Sequence, residues 1–273
     1  MTIVKKNKIS ILVLAWNGYN ETYKTLEALF LNTTVPFELI LIDNGSTDGT
    51  EKLFDEIVEG KFTNQFCLNR KVIHNKENLG VSKGYNVGLK EISDDSNYIS
   101  IFSNDWIISQ NWAEKLIECC ESEPMCGFAT ACSNCSAPSM VHSSKNPNPL
   151  KPISIDWNDP LLFKKVDELN EYLGRVNDKY YTLNEFVCIG WMMKREVFDK
   201  VGLMDEEILS ANDVSYTYLA AKYGYFSKTA WNVYIQHFFR ASGKQIGDRE
   251  LALRDQKDWH RIRNHQLYTG KEE

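Results

Sequence analysis

Two styles of apolar patterning alternate along the first 110 residues. "ISILVLAW" (9–16), the opening of "FELILIDNGSTDGT" (37–50), "KVIHNKEN" (71–78) and "YISIFSND" (98–105) carry apolar, β-branched runs ending in polar residues. Such runs predict strands buried on both faces. Between them, "NETYKTLEALFLNT" (20–33), "STDGTEKLFDEIVEG" (46–60) and "GVSKGYNVGLKEI" (80–92) space their apolar residues at helical intervals. In the middle one, Ser46 or Thr47 is placed as an N-cap and Glu51 falls in the first turn. This β-α-β alternation predicts an α/β fold: a Rossmann-like, mostly parallel, doubly wound sheet with helices on both faces.

Beyond residue 110 the alternation weakens. "NWAEKLIECCESEP" (111–124) reads as a helix, and residues 133–160 are rich in Ser, Asn and Pro. Prolines 138, 147, 149, 152 and 160 leave little room there for regular structure, so the segment reads as a lid or as a surface excursion. Helical spacing returns in "PLLFKKVDELNEYLGRVN" (160–177), and "FVCIGWMMKREVFDKVG" (186–202) gives a strand and a short helix stopped by Gly202. The C-terminal stretch 248–273, with clustered Arg and Lys, is predicted to be helical. It reads as a solvated helix or a homodimer contact, with a contact to an anionic acceptor or a membrane surface as the alternative.

In a parallel sheet, ligands sit beyond the carboxyl ends of the strands. Polar residues gather there: Asn17 after the first strand, Asp43 after the second, Asn78 after the third, and Ser103 and Asp105 after the fourth. Each alone is an ordinary turn residue. Together on one rim they describe a site.

Composition narrows the surroundings of that site. The chain has 273 residues, 43% hydrophobic, enough for a full core in one large domain or two small ones. A net charge of −6 gives no general attraction to nucleic-acid backbones or anionic membranes. The N-terminal apolar run is too short for a signal peptide or a transmembrane helix, and seven cysteines, an odd number, fit a reducing compartment. A soluble, cytoplasmic protein is expected. Cys132 and Cys135 form a CxxC, but without a second CxxC or a paired His spacing they read as buried thiols rather than a zinc site.

The blocks "SILVLAWNGYNETYKTLEAL", "LILIDNGSTDGT", "NKENLGVSKGYNVGL", "FSNDWIISQNWAEKL", "CIGWMMKREVFDKVGLMDEEILSANDVSYTYLAAKYGY" and "YIQHFFRASG" occur in that order between residues 9 and 243. In this succession the chain resembles glycosyltransferase family 2, inverting enzymes of the GT-A fold that use nucleotide-activated sugars. The resemblance implies one GT-A domain over residues 1–247 with a helical tail at 248–273. Residues 9–110 would form its nucleotide-sugar half, and 111–247 its smaller acceptor-side and catalytic half.

It also implies roles, residue by residue. Asp43 matches the acidic position that holds the base or ribose, and Asn17 the neighbouring position, with Ala15 and Trp16 offering backbone contacts. Asn78, Gly80 and Lys83 fall where small residues, a helix start and a cation suit phosphate oxygens, with Asn86 and Gly88 further along the same helix. Ser103-Asn104-Asp105 falls on the Asp-x-Asp motif, which joins ribose and diphosphate through Mn2+ or Mg2+. Asp105 keeps the second carboxylate, while Ser103 lacks the first. His237 matches a late histidine that is often a further metal ligand. Asn212-Asp213 matches an acidic pair whose second member is the general base, so Asp213 takes the catalytic role. Asp205, with Glu206 beside it, matches a position that contacts the acceptor, and the apolar ring of Trp191, after "CIG", reads as packing against the sugar or acceptor face or as part of the core.

Other classes of function remain beside this one. A sugar-nucleotide-binding or interaction protein that had lost catalysis would tolerate the neutral Ser103 and Asn212, but would have no reason to keep Asp105, Asp213 and His237 together. A nucleotidyltransferase would want a glycine-rich, basic loop after the first strand, and "LAWNGYNET" is not one. The donor is expected to be a UDP- or dTDP-sugar. The acceptor, a hydroxyl of a glycan, a lipid-linked or other molecule or a modified nucleic acid, is not legible.

Overall fold

The computed structural model describes residues 7–134, 155–176, 180–183, 190–238 and 248–265. Its centre is strand β1 (Ile9–Ala15), paired in parallel with β2 (Phe37–Asp43) on one side and β4 (Tyr98–Ser103) on the other. Strand β3 (Cys67–His74) extends the sheet beyond β2, again in parallel. The alternation on β1 explains its unbroken apolar run. Ile9, Ile11 and Val13 enter one core with Phe54, Phe102 and Trp112, whereas Leu12 enters the opposite core with Ile42, Phe128 and Trp191. Both faces are covered, so no polar alternation is needed.

Helices α1 (Tyr19–Asn32), α2 (Thr50–Val58) and α3 (Val81–Leu89) connect these strands. A Cβ at Gly84 would stand 2.8 Å from Leu14 Cδ1, and one at Gly88 2.5 Å from Ile42 Cδ1. One turn apart on α3, the two glycines let the helix lie directly on the strands. Helix α2 begins later than its sequence suggests, behind Gly49, and has no side-chain N-cap. Ser46 and Thr47 are instead engaged with the loop after β1.

The second half completes the sheet with mixed pairing. Strand β5 (Trp106–Ile108) leads into α4 (Trp112–Cys120), and β6 (Cys126–Ser133) follows; α5 (Leu162–Val176) and β7 (Tyr180–Leu183) come next. Then come β8 (Trp191–Lys194), α6 (Arg195–Val201), α7 (Asn212–Ala221), β9 (Phe226–His237) and α8 (Asp248–Asn264). The strand order is β3-β2-β1-β4-β8-β6-β9-β5, with β7 on β9. Strand β8 runs antiparallel to β4 and β6, β6 runs parallel to β9, and β9 is flanked by β7 along its first part and by β5 along its last. The expected GT-A type α/β fold is therefore present, its parallel character concentrated in the first four strands. Strand β6 lay hidden because "CGFATACS" is wholly buried yet built of small residues without strand patterning. Most of the proline-rich segment falls outside the described residues.

Register brings the strand ends level: Ala15 lies opposite Asp43, and Leu14 opposite Ser103. The exit loops of β2 and β3 then touch. Gly45 has φ 78°, and a Cβ there would meet the backbone C and Cα of Glu77 at 2.8 Å. Gly45→Ala is expected to cost about 1–2 kcal/mol from its left-handed backbone alone, and to push the Glu77 loop outward. Urea denaturation measures this; stability within about 0.5 kcal/mol of wild type would contradict both the backbone cost and the Glu77 contact.

Candidate active site at the carboxyl rim of the sheet

A cavity of about 410 Å3 opens at this rim. Its wall runs from Asn44, Asn78 and Gly80, past Leu14 and Trp16, to Ser103, Asn104 and Trp106, and on to Trp191, Leu209, Ser210, Asn212, Asp213, His237 and Arg254. It thus spans the ends of the parallel strands and reaches the start of α7.

Asparagine side chains build the wall. Asn104 is buried, and its amide donates to the Asn17 carbonyl (2.8 Å) and to Thr22 Oγ1 (2.9 Å), tying the end of β4 to the start of α1. Asn17, in the left-handed region at φ 58°, donates its N–H to Ser46 Oγ, and its Oδ1 accepts from the Thr47 N–H, both at 2.8 Å. Asn44 is a hub: its Oδ1 accepts from Asn75 Nδ2 and the Leu79 N–H, while its Nδ2 donates to Asn78 Oδ1 and the Gly80 carbonyl. The loop that leads into α3 is thereby held open against the rim.

The carboxylates divide by what holds them. Asp43 is buried, accepts from the Ser46 N–H at 3.0 Å and faces His74 Nδ1 at 3.4 Å, while His74 Nε2 lies 3.0 Å from Asp55. Burial pulls the His74 imidazole down, but hydrogen bonds to Asp55 and Asp43 outweigh it and hold the group above its ordinary value. Asp48 accepts from the Gly18 and Tyr19 N–H groups and from Thr50. Burial pushes it up, but these bonds prevail and leave it below the usual carboxylate range. Asp205 is gripped by Arg261, Nε to Oδ2 at 2.6 Å and Nη2 to Oδ1 at 3.1 Å.

Asp105 is buried; its Oδ1 accepts from Ser103 Oγ at 2.8 Å, and its Oδ2 lies 3.3 Å from His237 Nε2. The pairing follows from strand register, since Trp106 stands opposite His237 in β5 and β9. A carboxylate and an imidazole converge here beside a hydroxyl, although among the described residues no group of three or more His, Cys, Asp or Glu gathers around one point. This pair is chemically suited to a hard cation that completes its shell with diphosphate oxygens and water.

The structure brings Asn78, Gly80, Ser103, Asn104, Trp191, Asp213 and His237 to one cavity wall. Asp105 stands directly behind them. Asn17 lies in the loop after β1 and Asp43 is the last residue of β2, Lys83 is exposed on α3, and Asp205 turns to α8. Trp191 is buried against Phe128 and Tyr216. Asn86 is buried too, its amide donating to the Met204 carbonyl and Glu206. Asn44, Asp48 and Arg254 escaped the sequence reading. For the first two the signal was present in "DNGSTDGT", whose side chains hold loops rather than cap α2; for Arg254 none existed.

The α/β sheet, with its cavity at the carboxyl rim of the parallel strands, has the GT-A type fold that the resemblance in sequence implies. The chain belongs to glycosyl transferase family 2, whose model matches residues 10–202. It is 32% identical over 119 residues to the minor teichoic acid biosynthesis protein GgaA of Bacillus subtilis (strain 168), covering 42% of this chain and 25% of that protein. With glycosyltransferase GlyA of Streptococcus pneumoniae serotype 4 it shares 27% identity over 111 residues, 40% of this chain and 14% of that one. The chain therefore matches a quarter or less of each of these relatives. Among solved structures, the mannosyltransferase PcManGT from Pyrobaculum calidifontis, in complex with GDP-Man and Mn2+, superposes with a TM-score of 0.61 at 16% identity, over 94% of this chain and 64% of that one. Among the described residues no helix is long and apolar enough to cross a membrane.

The His74 bridge carries a pH signature. Its folded value is raised above the ordinary 6.5, so its stabilisation is complete below that pH and is lost as pH rises through the folded value. The His74 side chain is 40% exposed, so solvent screens the effect. The stability gap between wild type and His74→Gln is expected to be widest near pH 5.5 and to narrow by about pH 8.5. Urea titrations at both values test this, and a gap that widens with pH would contradict it.

Proposed function

We propose that this chain transfers a sugar, with inversion at the anomeric carbon, from a nucleotide-activated donor to an acceptor hydroxyl. The observation that carries this reading is the sharing of one cavity by Asp213 with His237, Ser103 and Asn104, the last three beside Asp105. A donor diphosphate and an attacking hydroxyl must meet within such a space. In this reading Asp213, in the first turn of α7, accepts the proton of the acceptor hydroxyl as the new glycosidic bond forms and the bond to the diphosphate breaks. Asp43 and the loop carrying Asn17 hold the nucleoside; Asn78 and Gly80, at the start of α3, lie against the phosphates.

Asp105 and His237 are the residues that would hold a divalent cation, with the Ser103 hydroxyl beside them. Mn2+ or Mg2+, when bound, would stabilise the negative charge of the leaving diphosphate. With one carboxylate instead of two, this chain should bind its cation more weakly than a site with a complete Asp-x-Asp. The donor is a UDP- or dTDP-sugar in this reading. The acceptor is a hydroxyl on a glycan or lipid-linked chain, and GgaA's name favours one from a cell-wall polymer. Trp191 and the 205–213 segment form the acceptor side.

Nucleotide release from a panel of UDP-, dTDP- and GDP-sugars, with and without Mn2+, tests the reading. Asp213→Ala is expected to lower turnover by about 10²–10⁴-fold with the sugar-nucleotide KM little changed. Asp105→Ala and His237→Ala are expected to raise the Mn2+ concentration needed for half-maximal rate. Equal, slow release by wild type and Asp213→Ala would instead identify a sugar-nucleotide-binding protein without catalysis.

A further inference from the structure

Helix α7, which carries Asp213 as its second residue, has Ala211 at its N-cap and no side-chain cap there. Its first backbone N–H groups and those of the preceding turn need acceptors from elsewhere. Those of the preceding turn find one 47 residues along the chain from Ala211, in the buried carboxylate of Asp258 on α8. Asp258 accepts from the N–H groups of Leu209 (3.0 Å), Ser210 (2.6 Å) and Ala211 (2.9 Å), and from Ser210 Oγ at 2.8 Å. Neighbouring positions on α8 reinforce the contact: Asp255 shares the single proton of the Ser210 hydroxyl with Asp258, Arg261 grips Asp205, and Ile262 packs with Ile208 and Leu219. Spaced three and four apart, these residues form one face of α8, and that face is committed to the 205–213 segment. The same helix places Arg254 on the wall of the cavity that Ser210 and Asp213 also line. The expectation of a solvated tail therefore misses this face of α8, although Gln256, Lys257 and His260 on the rest of the helix are exposed.

We infer that Asp258 is a positioning residue for the base: it fixes the 209–211 turn, and through it the start of α7 and the reach of Asp213 into the cavity. The inference rests on the reading of Asp213 as general base. Asp258 touches no substrate itself. A carboxylate suits the task because it accepts several N–H bonds at once, whereas a carboxamide would turn its NH2 toward donors. A small displacement of a catalytic group is enough to cost up to about 100-fold in rate.

The test is a double-mutant cycle of Asp258→Asn and Asp213→Ala, read as Mn2+-dependent nucleotide release from whichever UDP-, dTDP- or GDP-sugar wild type turns over. Asp258→Asn is expected to lower kcat by about 10- to 100-fold with the sugar-nucleotide KM within about twofold. In the Asp213→Ala background it is expected to cause no further loss, because its effect passes through the missing base. A merely structural role would lower the active fraction in both backgrounds alike. If Asp258→Asn does not fold, Asp258→Glu, which keeps the charge but shifts it by one methylene, takes its place in the cycle. An unchanged kcat, or equal losses in both backgrounds, overturns the positioning role alone. Wild-type turnover by Asp213→Ala overturns the base assignment, and this inference with it.

Discussion

Three neighbouring parallel strands ending at one level are the constraint on which the rest of the rim depends. Each exit loop leaves backbone N–H and C=O groups that the sheet no longer pairs, and several are buried. Asn104, Asn17, Asn44 and Asp48 answer them with side chains, each bonded to another strand's loop. A hydrogen bond of this kind adds only about 1 kcal/mol net, but leaving its partner buried and unmet costs about 1–3 kcal/mol. The polar composition of the rim is therefore required by the architecture before any ligand is considered. Chemistry uses what remains pointed at the cavity.

That division separates carboxylates which the sequence alone makes look equivalent. Asp48, Asp205 and Asp258 are held by N–H groups or a guanidinium and fasten loops, while Asp43, bonded by the Ser46 N–H and facing the His74 imidazole, ends β2 at the rim where the nucleoside is proposed to bind. Asp105 is turned toward His237. Asp213 stands at the cavity surface on a helix start that a distant element holds. Position relative to backbone donors, rather than residue type, distinguishes a fastener from a reacting group.

The first half of the fold was legible because strands buried on both faces and helices buried on one write different periods into the chain. The glycines of α3 and the polar strand ends carried the same message. Strand β6 and the short β5 were not legible: one is made of small residues, the other has three. At the site, the residues matching family motifs could be named, but their partners could not. Asp258 lies 47 positions from the turn it supports, and Arg261 lies 56 from Asp205, so no local pattern links them. The guanidinium that engages Asp205 belongs to a helix with no motif, so nothing in the sequence announces that contact.

Strand β9 has a consequence of another kind. It is twelve residues long and borders three strands, and its last residue, His237, is set against Asp105 by ladder pairing with β5. A side-chain period of two means that a slip by one residue would swing the imidazole to the opposite face, while a slip by two would carry it a full repeat away. The separation of carboxylate and imidazole thus behaves as a quantised setting, protected from gradual drift. The segment that leaves β6 is part of the same setting: Asn134 accepts the His237 N–H at 2.8 Å and donates to the His237 carbonyl at 3.0 Å. Such a scaffold keeps its most distance-sensitive pair locked in the weave of the sheet, with a single loop side chain as its catch.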